Sequence, residues 1–257
     1  MSGPSLAEIT ALGQPRAVLD RLNDEHWAGR LYMRKVSPYA TWVLARLGWS
    51  PNAVTVAFVL CGVAAGVVAS FGGLGTAVAA AVLIQAYLLF DCSDGELARV
   101  TKRFSAAGVF LDGVGHYFGE SALLVGLGLR AQGQLTVSGR YVSAGLAAAL
   151  LAMLVKAETD NVVVARAKTG LGAAVSDDKL APVGGGLAAA RRLASVLRVH
   201  RITHAVELSL LILCAAVADS IRGGLLATRV LLLACLLAGA LMVIAHLVAI
   251  VASRRLR

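Results

Sequence analysis

"LGTAVAAAVLIQAYLLF" (residues 74–90) runs directly into "DCSDGELARVTKRFSAAGVFLDGVGH" (residues 91–116). The first stretch carries no charge, while the second places Asp91, Asp94, Asp112 and His116 close to apolar segments on either side of a basic turn. Apolar runs of this length flanking a short polar turn read as two membrane helices joined at one face of a bilayer. Ionisable side chains within spans are costly and usually serve function. Chemistry is therefore expected where these two helices meet.

The remainder of the chain supports a membrane reading. Of 257 residues, 58% are hydrophobic and 15% charged, with mean hydropathy +0.76; a water-soluble domain averages nearer ~25% charged. Six segments approach the roughly 20 apolar residues that a bilayer core requires: about 52–72, 74–98, 106–129, 141–160, 203–221 and 225–252. The expected architecture is all-α, a six-helix transmembrane domain over residues 51–257 behind an N-terminal arm over 1–50. No polar block is long enough for a soluble domain, which argues against nucleic acid as a partner. The four cysteines, Cys61, Cys92, Cys214 and Cys235, have no paired spacing and read as small buried hydrophobes.

Charge placement sets an orientation. Of 24 Lys and Arg residues, only Arg130, Arg140, Arg222 and Arg229 fall toward one face, and the other 20 lie in the N-terminal arm, the 99–103 turn, the 156–201 region and the C-terminus. By the positive-inside rule both termini and the acid cluster face the cytosol of what reads as a bacterial cell membrane. No signal peptide is visible in the first fifty residues. The net charge of +9 then forms an inner belt suited to anionic headgroups and phosphorylated substrates. Residues 16–48 mix basic residues with Trp27, Tyr32, Tyr39 and Trp42, as an interfacial amphipathic helix would. Residues from about 162 to 200 read as a cytosolic loop, with "LAAARRLASVLRVHR" as a second basic interfacial helix. Gly62-xxx-Gly66 suggests close packing through small residues.

Spacing organises the acids. Asp91, Asp94, Gly95 and Ala98 share one face of a helix, and Gly108, Asp112 and His116 share a face of the next. Three aspartates in one pocket repel one another unless cations neutralise them, and carboxylate oxygens select hard ions such as Mg²⁺ or Mn²⁺. Arg99 adds a forked donor suited to phosphate. The chemistry implied is phosphoryl transfer at a pair of divalent ions. The competing class is a transporter or binding bundle that uses the acids as a cation or proton site, which leaves Gly95, Ala98 and Arg99 without a role.

The pattern D-x-x-D-G-x-x-A-R, then G-x-x-x-D-x-x-x-D, resembles the signature of CDP-alcohol phosphotransferases. It is met by Asp91, Asp94, Gly95, Ala98, Arg99, Gly108 and Asp112, with His116 in the last slot. The segment holding Asn52 and Thr55 is similar to the one that opens the family's first membrane helix. The resemblance implies transfer of a phospho-alcohol group from a CDP-alcohol, with CDP-diacylglycerol the expected donor, to an acceptor hydroxyl, releasing CMP. It implies Asp91, Asp94 and Asp112 as metal ligands. Asn52, Thr55, Gly95, Ala98, Arg99 and Gly108 would lie around the nucleotide. Family members often form homodimers. His116 is then the expected general base, since an imidazole titrates near neutrality. Glu120, one turn further on, is an alternative source of the missing carboxylate ligand, and a site that binds without turnover is a third reading. Lys156 and Arg201 are candidates to hold an acceptor phosphate. A CDP-polyol donor, giving a non-lipid phosphodiester, remains open.

Overall fold

The computed structural model describes residues 4–16, 27–171, 202–252 and 256. All regular structure among them is helical. Helix α1 (Leu6–Gly13) starts at a capping box, in which Ser5 Oγ accepts from the Glu8 amide at 3.3 Å and Glu8 Oε2 accepts from the Ser5 amide at 2.7 Å. That bond from the Ser5 backbone holds the exposed Glu8 carboxyl below its ordinary range. Helix α2 (Arg34–Arg46) is entered through a π-helical stretch, Gly29–Met33, and contains Pro38. Proline has no N–H, so the Arg34 carbonyl one turn earlier loses its usual donor. The Gln14 side-chain amide supplies one instead, at 2.7 Å.

Six longer helices follow: α3 (Pro51–Ser70), α4 (Leu74–Thr101), α5 (Ala106–Gln132), α6 (Arg140–Lys168), α7 (Ala205–Arg222) and α8 (Leu226–Ala252). Four of them, α3, α4, α6 and α8, are long and apolar enough to cross a membrane. The 18-residue α7 carries Glu207, Asp219 and Arg222, and α5 is interrupted by Asp112, His116 and Glu120. The six expected segments thus correspond to helices, two of them less apolar than a typical span. Helix α6 runs eight residues beyond its expected end at 160, through the start of the expected loop, to Lys168. The rest of that loop from 172 to 200, the expected second basic interfacial helix, and Arg201 lie outside the described residues, as do residues 17–26 of the N-terminal arm. All four cysteines are free.

The core is a seam of small residues. Helix α3 packs most extensively against α5 and α4, and α6 bridges α5 to α8. At Gly126 an added Cβ would stand 2.2 Å from the Gly66 carbonyl oxygen, and at Gly66 it would stand 2.4 Å from the Ala122 carbonyl. A Cβ added at Gly62 would stand 2.9 Å from the Gly119 Cα. Both glycines of the Gly62-xxx-Gly66 pattern therefore let α3 and α5 touch backbone to backbone. On the outside, Leu233, Leu237, Leu241 and Ile244 of α8 form an exposed stripe at helical spacing, with Leu146 and Leu150 on α6. Such a stripe suits contact with hydrocarbon better than with water.

The far end of the bundle is closed by polar groups. Asp219 accepts from the Ala227 and Thr228 amides at 2.8 and 3.0 Å and from Thr228 Oγ1 at 2.6 Å, which satisfies first-turn donors of α8. Arg130 donates to the carbonyls of Phe71 and Gly73 at 2.8 and 2.6 Å, tying the α3–α4 turn to α5.

Candidate functional site

The hairpin between α4 and α5 is set by two local devices. Helix α4 stops where Lys102 adopts a left-handed conformation, φ 53°, the one non-glycine residue among those described with positive φ. This backbone costs an ordinary side chain roughly 1–2 kcal/mol, so the turn is held by its surroundings. Three residues later Ser105 caps α5, its Oγ accepting from the Gly108 amide at 2.9 Å. The Ser105 hydroxyl also donates to Asn52 Oδ1 at 3.1 Å, so the starts of α3 and α5 are joined. A Cβ at Gly108 would fall 2.8 Å from Asn52 Oδ1, which explains a glycine there.

Asp91 from α4 and Asp112 and His116 from α5 converge, each able to offer one ligand atom within 4.8 Å of the others. His116 Nε2 lies 3.3 Å from Asp91 Oδ1 and 3.7 Å from Asp112 Oδ1, all three groups being partly exposed. The other ring nitrogen, Nδ1, is 3.0 Å from the hydroxyl of buried Tyr87. Phe58 packs edge-on against the imidazole with centroids 5.1 Å apart. The ring is therefore fixed with Nε2 toward the two carboxylates. The carboxylate oxygens of Asp91 and Asp112 fit a hard divalent ion such as Mn²⁺ or Mg²⁺, with the imidazole beside them.

The third expected metal ligand behaves differently. Asp94 is buried, and its Oδ2 accepts from Thr55 Oγ1 at 2.7 Å; the structure does not bring it into the Asp91–Asp112–His116 group. It lines an adjoining cavity of about 160 Å³ instead. That cavity brings together every residue expected around the nucleotide: Asn52, Thr55, Gly95, Ala98, Arg99 and Gly108. Arg103 adds a second cation to its wall, and Phe104 and Val109 an apolar lip. Asp112 belongs both to the cavity and to the acid–imidazole group, so the two are contiguous.

Other expected residues find different partners. Glu120 is buried and forms an ion pair with Lys156 Nζ at 3.2 Å, with His204 Nδ1 at 4.0 Å; it is not part of the acid–imidazole group. Lys156, expected to hold an acceptor phosphate, is thus engaged by a carboxylate, and Arg201 lies outside the described residues. Nearby, Asp160 accepts from Tyr117 at 2.6 Å, and His246 pairs with Glu158 at 2.9 Å. Sequence reasoning passed over two residues. Tyr87 looked like one more apolar position of α4. Glu96, inside the motif, is fully buried and accepts from Gln14, Ser37 and Thr41.

None of the curated proteins matches the chain. Residues 49–253 match the family described as CDP-alcohol phosphatidyltransferase, a span that begins just before α3 and leaves α1 and α2 outside it. Asp91, Asp112 and His116 of the motif meet within that span, beside a cavity lined by Asp94, Gly95, Arg99 and Gly108. The chain belongs to the CDP-alcohol phosphatidyltransferase family.

Proposed function

We propose that this protein is a six-span membrane transferase that moves the phospho-alcohol half of a CDP-alcohol onto an acceptor hydroxyl and releases CMP at the cytosolic face. Family membership implies phosphatidyl transfer from a CDP-alcohol; donor, acceptor, orientation and residue roles are part of the proposal. The observation that carries it is Asp112, shared between the cavity lined by Gly95, Ala98, Arg99 and Gly108 and the acid–imidazole group. Exposed Phe104 and Val109 at the cavity lip favour a donor with acyl chains, CDP-diacylglycerol, over a CDP-polyol.

In this reading Asp91 and Asp112, with Asp94 from the donor side, would hold Mg²⁺ or Mn²⁺, and a divalent ion there would supply charge neutralisation for the diphosphate and the departing CMP. Thr55 fixes the Asp94 carboxylate, and Gly95 and Ala98 let the diphosphate lie against α4. Arg99 and Arg103 supply positive charge along the wall. The acceptor oxygen attacks the phosphorus bearing the alcohol, a new P–O bond forms, and the bond to the bridging oxygen breaks with its electron pair leaving on CMP. The acceptor proton passes to His116 Nε2. For this the Nδ1 hydrogen must donate to the Tyr87 oxygen, which leaves the Nε2 lone pair available. Glu120, ion-paired with Lys156, would serve the acceptor side together with that lysine.

The test is CMP release by purified protein with Mg²⁺ or Mn²⁺, offering CDP-diacylglycerol against CDP-polyols with a panel of hydroxyl acceptors. Release that requires a divalent ion supports the reading, and absence of release with every CDP-alcohol offered would sink it. His116→Ala should lower the rate across the pH range. Retention of full rate removes the base assignment. If Glu120→Gln raises the metal concentration for half-maximal rate, Glu120 is a ligand after all.

A further inference from the structure

We propose that α1 and α2, which lie outside the family-matched residues, complete the donor site, with Glu96 as a positioning residue that seats the end of α1 against Arg99. The inference rests on the donor cavity being a nucleotide site.

Glu96 stands two residues after Asp94, so its side chain leaves α4 on the side away from the acids. It is fully buried, and a carboxylate in such a place is costly unless satisfied. Every partner it has among the contacts described comes from the N-terminal segment. Gln14 Nε2 donates at 2.8 Å, Ser37 Oγ at 2.5 Å and Thr41 Oγ1 at 2.7 Å, with Arg34 Nη1 at 3.6 Å. Gln14 also serves the Arg34 carbonyl that Pro38 leaves without its helical donor, which locks α1 to α2. The hub therefore docks both helices onto the stretch of α4 that carries the motif.

The docking reaches the cavity through Gly13, the last residue of α1. A Cβ at Gly13 would stand 3.3 Å from Glu96 Cβ, so the end of α1 is pressed onto the Glu96 side chain. The carbonyl of Gly13, which a helix end leaves without an internal partner, accepts from Arg99 Nε at 2.7 Å. The same guanidinium lies along the cavity wall, with Nη1 3.1 Å from where a Gly95 Cβ would be. An arginine side chain is long and flexible, and fixing Nε fixes the plane of its fork. Glu96 thus acts on the donor through α1 and Arg99 without touching it.

The test is calorimetric titration of the full-length protein in detergent with CDP in the presence of Mn²⁺, and with Mn²⁺ alone. Glu96→Ala should weaken CDP binding about tenfold, in line with the loss of one oriented charged hydrogen bond, while Mn²⁺ affinity stays within about twofold. Arg99→Ala should weaken it similarly, and the double variant should be no weaker than the worse single one, because both act through one group. Unchanged CDP affinity in Glu96→Ala, or losses that multiply in the double variant, would overturn the inference. Should Glu96→Ala fail to fold, Gln14→Ala is the second probe, with an expected loss of about threefold at an unchanged melting temperature, and an unchanged affinity there also overturns it. A wild-type protein that binds no CDP removes the donor-site reading itself, and this inference with it.

Discussion

On one side of α4, Glu96 is enclosed by an amide, two hydroxyls and a guanidinium drawn from α1 and α2. On the other side, Asp91 shares a single imidazole nitrogen with Asp112. The two acids stand five residues apart on one helix, yet their surroundings differ in kind. Glu96 has its charge dispersed over donors that fold with it, and so belongs to the scaffold. Asp91 and Asp112 are brought together, partly exposed, with more acceptor capacity than the described residues supply donors, which is what an ion site requires. Asp219 at the opposite end of the bundle belongs with Glu96, since three donors saturate it. In a membrane protein, the number of donors around a carboxylate separates framework from chemistry better than burial does.

The largest effect that would sharpen this contrast is Asp112→Asn, expected to lower CMP release by roughly 10²–10³-fold, the scale of one electrostatic group at a reacting centre. The melting temperature should hold or rise, because a like charge beside Asp91 is removed. Glu96→Ala should show the reverse, a loss of about 2 kcal/mol in unfolding free energy as its donors lose their acceptor. An unchanged melting temperature for Glu96→Ala would break the comparison. Next comes Tyr87→Phe, expected to slow turnover about tenfold, on the order of 1.4 kcal/mol, with the Michaelis constant for the CDP-alcohol unchanged. Asp219→Ala should cost about 1 kcal/mol, the scale of a lost helix cap, and leave CMP release as it is. The smallest effect concerns the Glu8 capping box. Its carboxyl is held below the ordinary range, so the contribution is present above the unfolded carboxyl pKa and fades as pH falls through the lowered folded value. The protection of α1 amides, measured against the intrinsic exchange rate at each pH, should therefore fall in acid.

Much of this was open to reading in the chain itself. Charges are rare in apolar helices, so Asp91, Asp94, Asp112 and His116 stood out, and helical spacing put them on facing sides. Six apolar segments marked six helices, though site residues on α5, and Glu207, Asp219 and Arg222 on α7, make these two less apolar than a span reader expects. What stayed hidden depended on long-range partners. Glu96 read as an unremarked motif position because its donors lie 55 to 82 residues away. Tyr87 was lost among aliphatic neighbours, and only the fold brings its hydroxyl to the ring 29 residues further on. Glu120 had the right helical phase for the acids, but Lys156 of α6 reaches it, which spacing within one helix does not reveal.

The glycine seam of α3 and α5 has a consequence for how this protein can change. With Gly66 and Gly126 in backbone contact, neither helix has slack to roll or slide past the other. Thr55 on one and Asp112 on the other are thereby held at a fixed gauge, like the jaws of a jig. Adaptation to a new acceptor must then come from elements that meet α5 from elsewhere, and drift in substrate range should be recorded on α6, α7 and α8 while the jaws stay still.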